Sequence, residues 1–163
     1  MPKKPDPVAD ATDEARAEAR ALLAGAGFAA LAFTDPETGT PGISRIAFGL
    51  GPDGLPVTLI SELAHHTRAL RQRPEVAFMV GEPGPKGDPL THPRLMVQAR
   101  ARFLAADDPA RPGLREHYLK AHPKAKLYAD FADFSFVVLE PVAALLNGGF
   151  GRAFRLSATD LRA

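Results

Sequence analysis

Residues 59–73 read LISELAHHTRALRQR, and this stretch joins the end of an apolar strand to the start of a short helix. The strand pattern ends at Ser61, and the helix begins between His65 and Thr67. Backbone amides at a helix start lack partners within the helix and carry about half a unit of positive charge, so they form a ready anion site. The Ser61 and Thr67 hydroxyls can donate to an anion, and Arg68 can add a charge-assisted bond. A surface helix with solvated arginines explains the same pattern, and both interpretations stay open.

Short strands with turn residues between them surround this junction. Strand patterns occupy residues 28–34, 42–50, 56–62, 75–82, 94–105 and 134–140, with a glycine-interrupted strand pair in residues 143–155. Helices are predicted over residues 15–24 and 64–73, with two more in residues 107–132 divided at Pro123. Six or seven strands with hairpin connections and no repeated strand–helix–strand spacing predict a mostly β fold, a closed antiparallel barrel with few helices.

The composition excludes several classes of protein. The sequence has 20 Lys+Arg against 19 Asp+Glu, so no overall basic field exists to bind nucleic acid or an anionic membrane. The absence of cysteine excludes disulfides and thiolate zinc sites. No segment resembles a signal peptide or a membrane span. We expect a cytoplasmic protein with a disordered tail over residues 1–12 and a single domain over residues 13–163.

Three familiar kinds of site are disfavoured. Residues 25–30 (GAGFAA) match a loose dinucleotide fingerprint, but here a helix comes before the glycines and a strand after them, which is the reverse of the order that binds pyrophosphate. The five histidines lack the spacing of metal ligands, so no zinc or iron site is predicted. Neither Ser44 nor Ser61 lies in a GxSxG elbow. No residue can be named as catalytic.

Two further segments need an explanation. Arg45 lies mid-strand between apolar residues, so its guanidinium either reaches solvent or meets an anion. Residues 146–153 (LNGGFGRA) place three glycines in a β pattern, which weakens a strand unless something approaches its backbone. A bulge at a barrel corner and a planar ligand against the backbone each explain this segment, and the sequence leaves both open.

Four segments together resemble the pyridoxamine-phosphate-oxidase-like, FMN-binding split-barrel family. They are ISRI (residues 43–46), LISELAHHTRAL (59–70), HPRLMVQARA (92–101) and LNGGFGRAF (146–154). The resemblance covers nearly the whole globular part of the chain. It implies a six- to seven-stranded antiparallel split β-barrel with a few short flanking helices. It also implies a homodimer with two FMN molecules in clefts between the subunits.

The resemblance further implies which residues contact FMN. The phosphate would lie against residues from the second predicted strand and the junction: Arg45, Ser61, Thr67 and Arg68, joined by His66 of the same motif. Ile46, next to Arg45, would also belong to the cofactor site. Arg94 matches a position that reaches toward the flavin ring. Gly149, Phe150 and Arg152 would reach the flavin from the partner subunit.

A closer resemblance is to the haem-utilisation branch of this family, which shares the SxLAxHTRxL and GGFGxA patterns. Proteins of that branch bind and degrade haem, and their iron-ligating histidine lies in a carboxy-terminal segment beyond the barrel. The last histidine here is His122, in a sequence that ends at Ala163. The oxidase members of the family carry a tryptophan for the pyridoxal substrate, and this sequence has none, so pyridoxamine-phosphate oxidation is not expected.

The sequence therefore predicts an FMN-dependent oxidoreductase or flavin-reductase-like protein, in which the isoalloxazine ring carries the redox chemistry. A haem-binding or haem-degrading protein on the same scaffold is the first alternative. The second alternative is a non-catalytic module that binds flavin. No nucleic acid and no membrane is expected among the partners.

Overall fold

Nine β-strands and three α-helices form the fold within residues 1–2 and 4–162, the part of the chain that this computed structural model describes. The strands are β1 (Val8–Asp10), β2 (Phe28–Thr34), β3 (Pro41–Ala47), β4 (Gly49–Leu50), β5 (Pro56–Ser61), β6 (Glu75–Val80), β7 (Arg94–Phe103), β8 (Phe134–Asn147) and β9 (Ala153–Ser157). The helices are α1 (Asp13–Gly25), α2 (His65–Gln72) and α3 (Arg111–Ala121), with 3₁₀ turns at Pro89–Thr91, Pro123–Leu127 and Thr159–Leu161. The predicted mostly β class is confirmed. None of the helices in this part of the chain has the length and apolar character needed to cross a membrane.

The sheet divides at β8, and this division makes the barrel a split one. Strands pair in the order β1-β9-β8-β7-β6-β2-β3, and β5 pairs with β8 outside this path. One edge of β8 pairs with β7, while the other edge pairs with β5 over its first half and with β9 over its second half. The pairing of β7 with β8 shifts register between Gln98 and Ala99, opposite Pro141, which has no N–H to donate to the ladder.

The predicted closed barrel is wrong. Strands β3 and β5 approach each other, but among the described residues no backbone ladder joins them. Their link is instead a side-chain hydrogen bond, in which the Thr58 hydroxyl donates to the Ala47 carbonyl at 2.6 Å. After β3 ends at Ala47, the chain forms only the two-residue strand β4 before the turn at Pro52.

The amino terminus also differs from the predicted disordered tail. Residues Val8–Asp10 form β1, which pairs in parallel with β9. The Arg155 guanidinium fixes this edge by donating to the Val8 carbonyl at 2.9 Å and to the Asp6 carboxylate at 2.5 Å. Thr12 then caps α1, because its hydroxyl accepts from the Ala15 amide at 3.1 Å. Three residues of strand give too little pattern for a prediction.

The two faces of the sheet have different surroundings. The inward face of β2, β6 and β7 forms the main core with α1 and α2, and a second apolar cluster lies between β5, β8 and α3. We call the opposite side, from β3 to β8, the outer sheet face. Cross-strand pairs align its side chains, which are mostly apolar: Ala30, Ala32, Ile43, Arg45, Ala77, Met79, Met96, Gln98, Val142 and Leu145.

Candidate functional site

The junction between β5 and α2 is a tight turn built around Ser61. The Ser61 carbonyl accepts from the Ala64 amide at 3.1 Å and from the Thr67 hydroxyl at 2.6 Å. The Ser61 hydroxyl accepts from the Leu63 amide at 3.1 Å. These bonds bring the chain from strand to helix within three residues, so α2 begins at His65 as the sequence predicts.

The first amides of α2 are free to bind an anion. Ala64 is the capping residue and has no side chain that can accept a hydrogen bond. Among the described residues, the His65 and His66 amides make no hydrogen bond to a backbone or side-chain acceptor. Two unpaired N–H groups at the positive end of a helix dipole form the kind of site that holds a phosphate or a carboxylate.

The two hydroxyls that were expected to bind phosphate have partners within the protein. Thr67 is fully buried and donates to the Ser61 carbonyl. The Ser61 hydroxyl donates to the Asp133 carboxylate at 3.0 Å. Both hydroxyl protons therefore hold the junction together. An anion at the start of α2 would have to rely on amides and charged side chains.

Carboxylates from the β2–β3 turn, residues 35–40, face the basic side chains of the junction. His65 Nε2 lies 2.8 Å from Asp35 Oδ2, and Arg68 Nη2 lies 2.5 Å from Glu37 Oε1. The hydrogen bond from His65, with further bonds from the amides of Thr38 and Glu37, lowers the pKa of Asp35 to about 2. Asp35 is thus ionised across the physiological range, and the junction combines unpaired amides with basic side chains that each contact a carboxylate.

His66 is the junction residue without a hydrogen-bond partner. Its Nε2 atom is buried, and no described residue offers it a donor or an acceptor. Its ring centroid lies 6.5 Å from that of Phe33 on the inward face of β2. Burial, and to a lesser extent the neighbouring His65, lower the pKa of His66 below its usual range. Burial therefore favours the neutral imidazole.

Arg45 and Ile46 lie on opposite faces of β3. Arg45 is exposed on the outer sheet face, with its guanidinium carbon 5.3 Å from the centroid of the Phe28 ring. No carboxylate pairs with it in the part of the chain that the structure describes. Ile46 is buried in the main core, so only its backbone could contact a ligand.

The glycine-rich segment is a tight turn between β8 and β9. The Gly148 amide donates to the Arg152 carbonyl at 2.8 Å, and the Arg152 amide donates to the Gly149 carbonyl at 3.2 Å. Gly149 has a φ of +125°, and a Cβ atom there would lie 3.1 Å from the Thr91 carbonyl oxygen. Phe150 is almost fully exposed at the tip. Backbone geometry thus explains the glycines, and the tip remains free to reach a second molecule.

Arg94 supports the loop over residues 81–93 that packs beside this turn. Its Nη1 donates to the Leu90 carbonyl at 3.1 Å and lies 3.5 Å from the His92 carbonyl. The ring of His92 closes the same loop, because Nδ1 accepts from the Gly84 amide and Nε2 contacts the Lys86 carbonyl. Arg94 therefore lies at the start of β7 as expected, with part of its guanidinium used by the loop.

The structure brings some of the predicted site residues together and leaves others apart. Ser61, His66, Thr67 and Arg68 share the junction. No hydrogen bond among the described residues connects Arg45, Arg94 or the glycine turn to it. The sequence pattern did not indicate the acidic partners Asp35, Glu37 and Asp133, because they are 30 or more residues away from their partners in the chain. Within the described residues, no group of three His, Asp or Glu side chains is placed to hold a metal ion.

Comparisons with known proteins agree with this fold. The sequence profile of the pyridoxamine 5′-phosphate oxidase family matches residues 15–147. A chloroplast protein of Arabidopsis thaliana, named a non-canonical haem oxygenase, is 30% identical over 122 residues, which are 75% of this chain and 36% of that protein. The chain thus spans about a third of the length of this curated relative.

Two solved structures are similar over nearly the whole chain. A haem-binding protein from Mycobacterium smegmatis is 29% identical with a TM-score of 0.79, covering 98% of this chain and 61% of that one. A protein of unknown function from Agrobacterium tumefaciens is 32% identical with a TM-score of 0.81, covering 94% of this chain and 62% of that one. The family resemblance predicted from the four sequence segments is confirmed. This chain belongs to the pyridoxamine 5′-phosphate oxidase family and has its split-barrel fold.

Proposed function

We propose that this chain binds haem on the split-barrel scaffold, in a cleft completed by a second copy of the chain. The observation that carries the proposal is the similarity to two proteins named for haem, at 30% identity over 75% of this chain and 29% over 98%. These relatives favour haem over the FMN-dependent oxidoreductase that the sequence alone predicts. Haem would supply a redox-active iron.

The start of α2 has groups that suit the anionic edge of haem. The free amides of His65 and His66 and the guanidinium of Arg68 are donors for a propionate carboxylate. His65 is half-exposed, and its Nε2 is paired with Asp35. A carboxylate on one ring nitrogen orients an imidazole so that its other nitrogen can bind a metal. We therefore assign His65 Nδ1 as the candidate iron ligand of this chain.

The outer sheet face supports the second copy. Ile43 is 76% exposed, Val142 63% and Met79 44%. These side chains lie on β3, β8 and β6, and the intervening strands β2 and β7 place Ala32 and Met96 on the same face. A contiguous exposed apolar surface of this kind marks a protein interface. A twofold dimer would cover the face with the same face of the partner. Arg45 lies at the edge of this surface, where a cleft between two copies would place it beside a ligand.

FMN is the second candidate, because the sequence profile of the pyridoxamine 5′-phosphate oxidase family matches residues 15–147 and the same helix start also suits a phosphate. Two unpaired amides beside an arginine at a helix start match the needs of a phosphate group. FMN bound there would supply hydride or electron transfer from its ring. A flavin-binding module without catalysis has the same site and differs only in whether a nicotinamide donor reduces the bound flavin.

Titration of the chain with hemin tests the first candidate. We expect a saturable Soret band, with its position or intensity changed in His65→Ala and unchanged in the matched variant His117→Ala, which alters an exposed histidine of α3. A spectrum identical to that of free hemin would overturn haem binding. A band unchanged in both variants would retain haem binding and remove His65 as the ligand.

Titration with FMN tests the second candidate. We expect quenching of flavin fluorescence in the wild type, and weaker FMN binding in Arg68→Gln with no change for riboflavin, which lacks the phosphate. No quenching at saturating FMN would exclude a flavin site. Where FMN binds, bleaching of its visible absorption by NADPH distinguishes an oxidoreductase from a passive module.

A further inference from the structure

The β2–β3 turn places two negative charges at the candidate anion site. Glu37 contacts Arg68, and Asp35 contacts His65, so the guanidinium and the imidazole of the junction both face a carboxylate of the same turn. Thr67 and Ser61 have internal partners as well. A ligand anion at the α2 start must therefore bind beside two carboxylates of the protein itself.

The turn is built to hold these carboxylates in place. Asp35 Oδ1 accepts from the Glu37 amide at 2.8 Å and from the Thr38 amide at 3.0 Å. The Asp35 amide donates to the Thr40 carbonyl at 2.8 Å, which closes the turn. These bonds fix the backbone that carries Glu37 toward α2. The fold thus fixes the backbone position of Glu37 beside α2, and its exposed carboxylate contacts Arg68 from there.

We propose that Glu37 determines ligand specificity by disfavouring a doubly charged phosphate at the α2 start while admitting a singly charged carboxylate. The proposal rests on the proposed function, which places the anionic group of the ligand at this helix start. Coulomb repulsion scales with the product of the charges, so the phosphate of FMN is opposed about twice as strongly as a haem propionate. Glu37 also occupies a donor of Arg68 that a phosphate would use.

The expected effect is moderate, because both side chains are exposed to solvent. Exposed charge pairs contribute about 0.2–1 kcal/mol, which corresponds to about a 1.5- to 5-fold change in affinity for a single charge. Removing the Glu37 charge should therefore tighten hemin binding by about 1.5- to fivefold. It should tighten FMN binding by about the square of that factor, roughly two- to 25-fold, and leave riboflavin binding unchanged.

The experiment compares Glu37→Gln, Glu37→Asp and the wild type in titrations with FMN, riboflavin and hemin. Glu37→Asp keeps the charge and should behave as the wild type. Glu75→Gln is the matched control, because Glu75 makes a similar exposed pair with Arg100 on another part of the sheet. Thermal melting checks that every variant is folded. Selective tightening for FMN in Glu37→Gln alone supports the proposal, including the case in which only this variant binds FMN.

Several outcomes would overturn the proposal. Unchanged FMN binding in Glu37→Gln would show that the carboxylate has no effect on the ligand. Weaker FMN binding would show that the carboxylate positions Arg68 for the ligand. An equal gain in affinity for FMN and hemin in Glu37→Gln would show that Glu37 does not select between them. Failure of Glu37→Gln to bind FMN at all would contradict the proposal as well. Arg68→Gln separates these results from a failure of the proposed function, because unchanged hemin and FMN binding in that variant would mean that no anion is held at the junction.

Discussion

The α2 junction and the outer sheet face differ in how many of their side chains find a partner within one chain. At the junction, Ser61, His65 and Arg68 each have an acidic partner within the same molecule. On the outer sheet face, Ile43 and Met79 expose apolar surface that no described residue of the chain covers. These side chains of the junction therefore find their partners within one molecule, whereas the sheet face gains stability only when another surface covers it.

The largest expected effect comes from a charge on the sheet face. In a twofold dimer, Met79→Asp buries an unpaired carboxylate in each half of the interface, at a cost of about 3 kcal/mol or roughly 100-fold in the dissociation constant. We expect a monomer by light scattering at micromolar concentration, with the melting profile of a folded chain. Leu127→Asp, an exposed apolar residue of a 3₁₀ turn away from this face, should leave the dimer intact. An unchanged dimer in Met79→Asp would mean that this face is not the interface.

The β8–β9 turn extends the comparison, because it carries exposed Phe150 on a backbone that is fixed internally. Gly149→Ala should destabilise the fold by about 1–3 kcal/mol, since φ at +125° is strained for any side chain and the Thr91 carbonyl lies 3.1 Å from the new Cβ. Gly151→Ala should cost about 1 kcal/mol, because its φ of +71° is left-handed helical and its surroundings are open. Urea unfolding measures both variants. Equal costs would mean that contact with Thr91 contributes nothing.

The fold was predictable where the determining signals are local. Helix α1 has its cap at Thr12 and acids in its first turn, and α2 stops before Pro74, so sequence patterns locate both. Strand β8 was harder, because it continues through Pro141, a residue that ends most strand patterns. Pairing with β7 and a register shift allow this continuation, and both depend on residues far away in the chain.

The candidate site was predictable only in part, for a related reason. The LISELAHHTRAL pattern located the helix start and its basic residues correctly. Their partners Asp35 and Glu37 are about 30 residues earlier, and Asp133 is 72 residues after Ser61. A single sequence does not show which side chains meet across such separations. The family resemblance predicted Thr67 as a ligand contact, whereas in the structure the buried Thr67 hydroxyl donates to the Ser61 carbonyl.

A smaller effect tests how much the internal partners of the junction contribute. Thr67→Val removes the bond to the Ser61 carbonyl and keeps the shape of the side chain. That carbonyl retains the Ala64 amide as a donor, so we expect a loss of about 1 kcal/mol in the free energy of unfolding. Thr91→Val removes a similar bond at an exposed site and should change stability less. An unchanged free energy of unfolding in Thr67→Val would show that the junction does not depend on this buried bond.

The smallest effect concerns His66, whose buried Nε2 has no hydrogen-bond partner among the described residues. Burial lowers the pKa of the folded-state imidazole, so the unfolded chain takes up a proton first as the pH falls below about 6.5. The contribution of this group to stability is therefore constant above that pH and declines as the pH falls toward the lower folded-state pKa. His66→Leu removes both the proton site and the unpaired Nε2, and should lose less stability than the wild type between pH 7 and pH 5 in urea titrations. His117→Leu, at an exposed position of α3, should keep the slope of the wild type. If the free energy of unfolding had the same pH dependence in the wild type and His66→Leu, the buried Nε2 would have to form a hydrogen bond in solution.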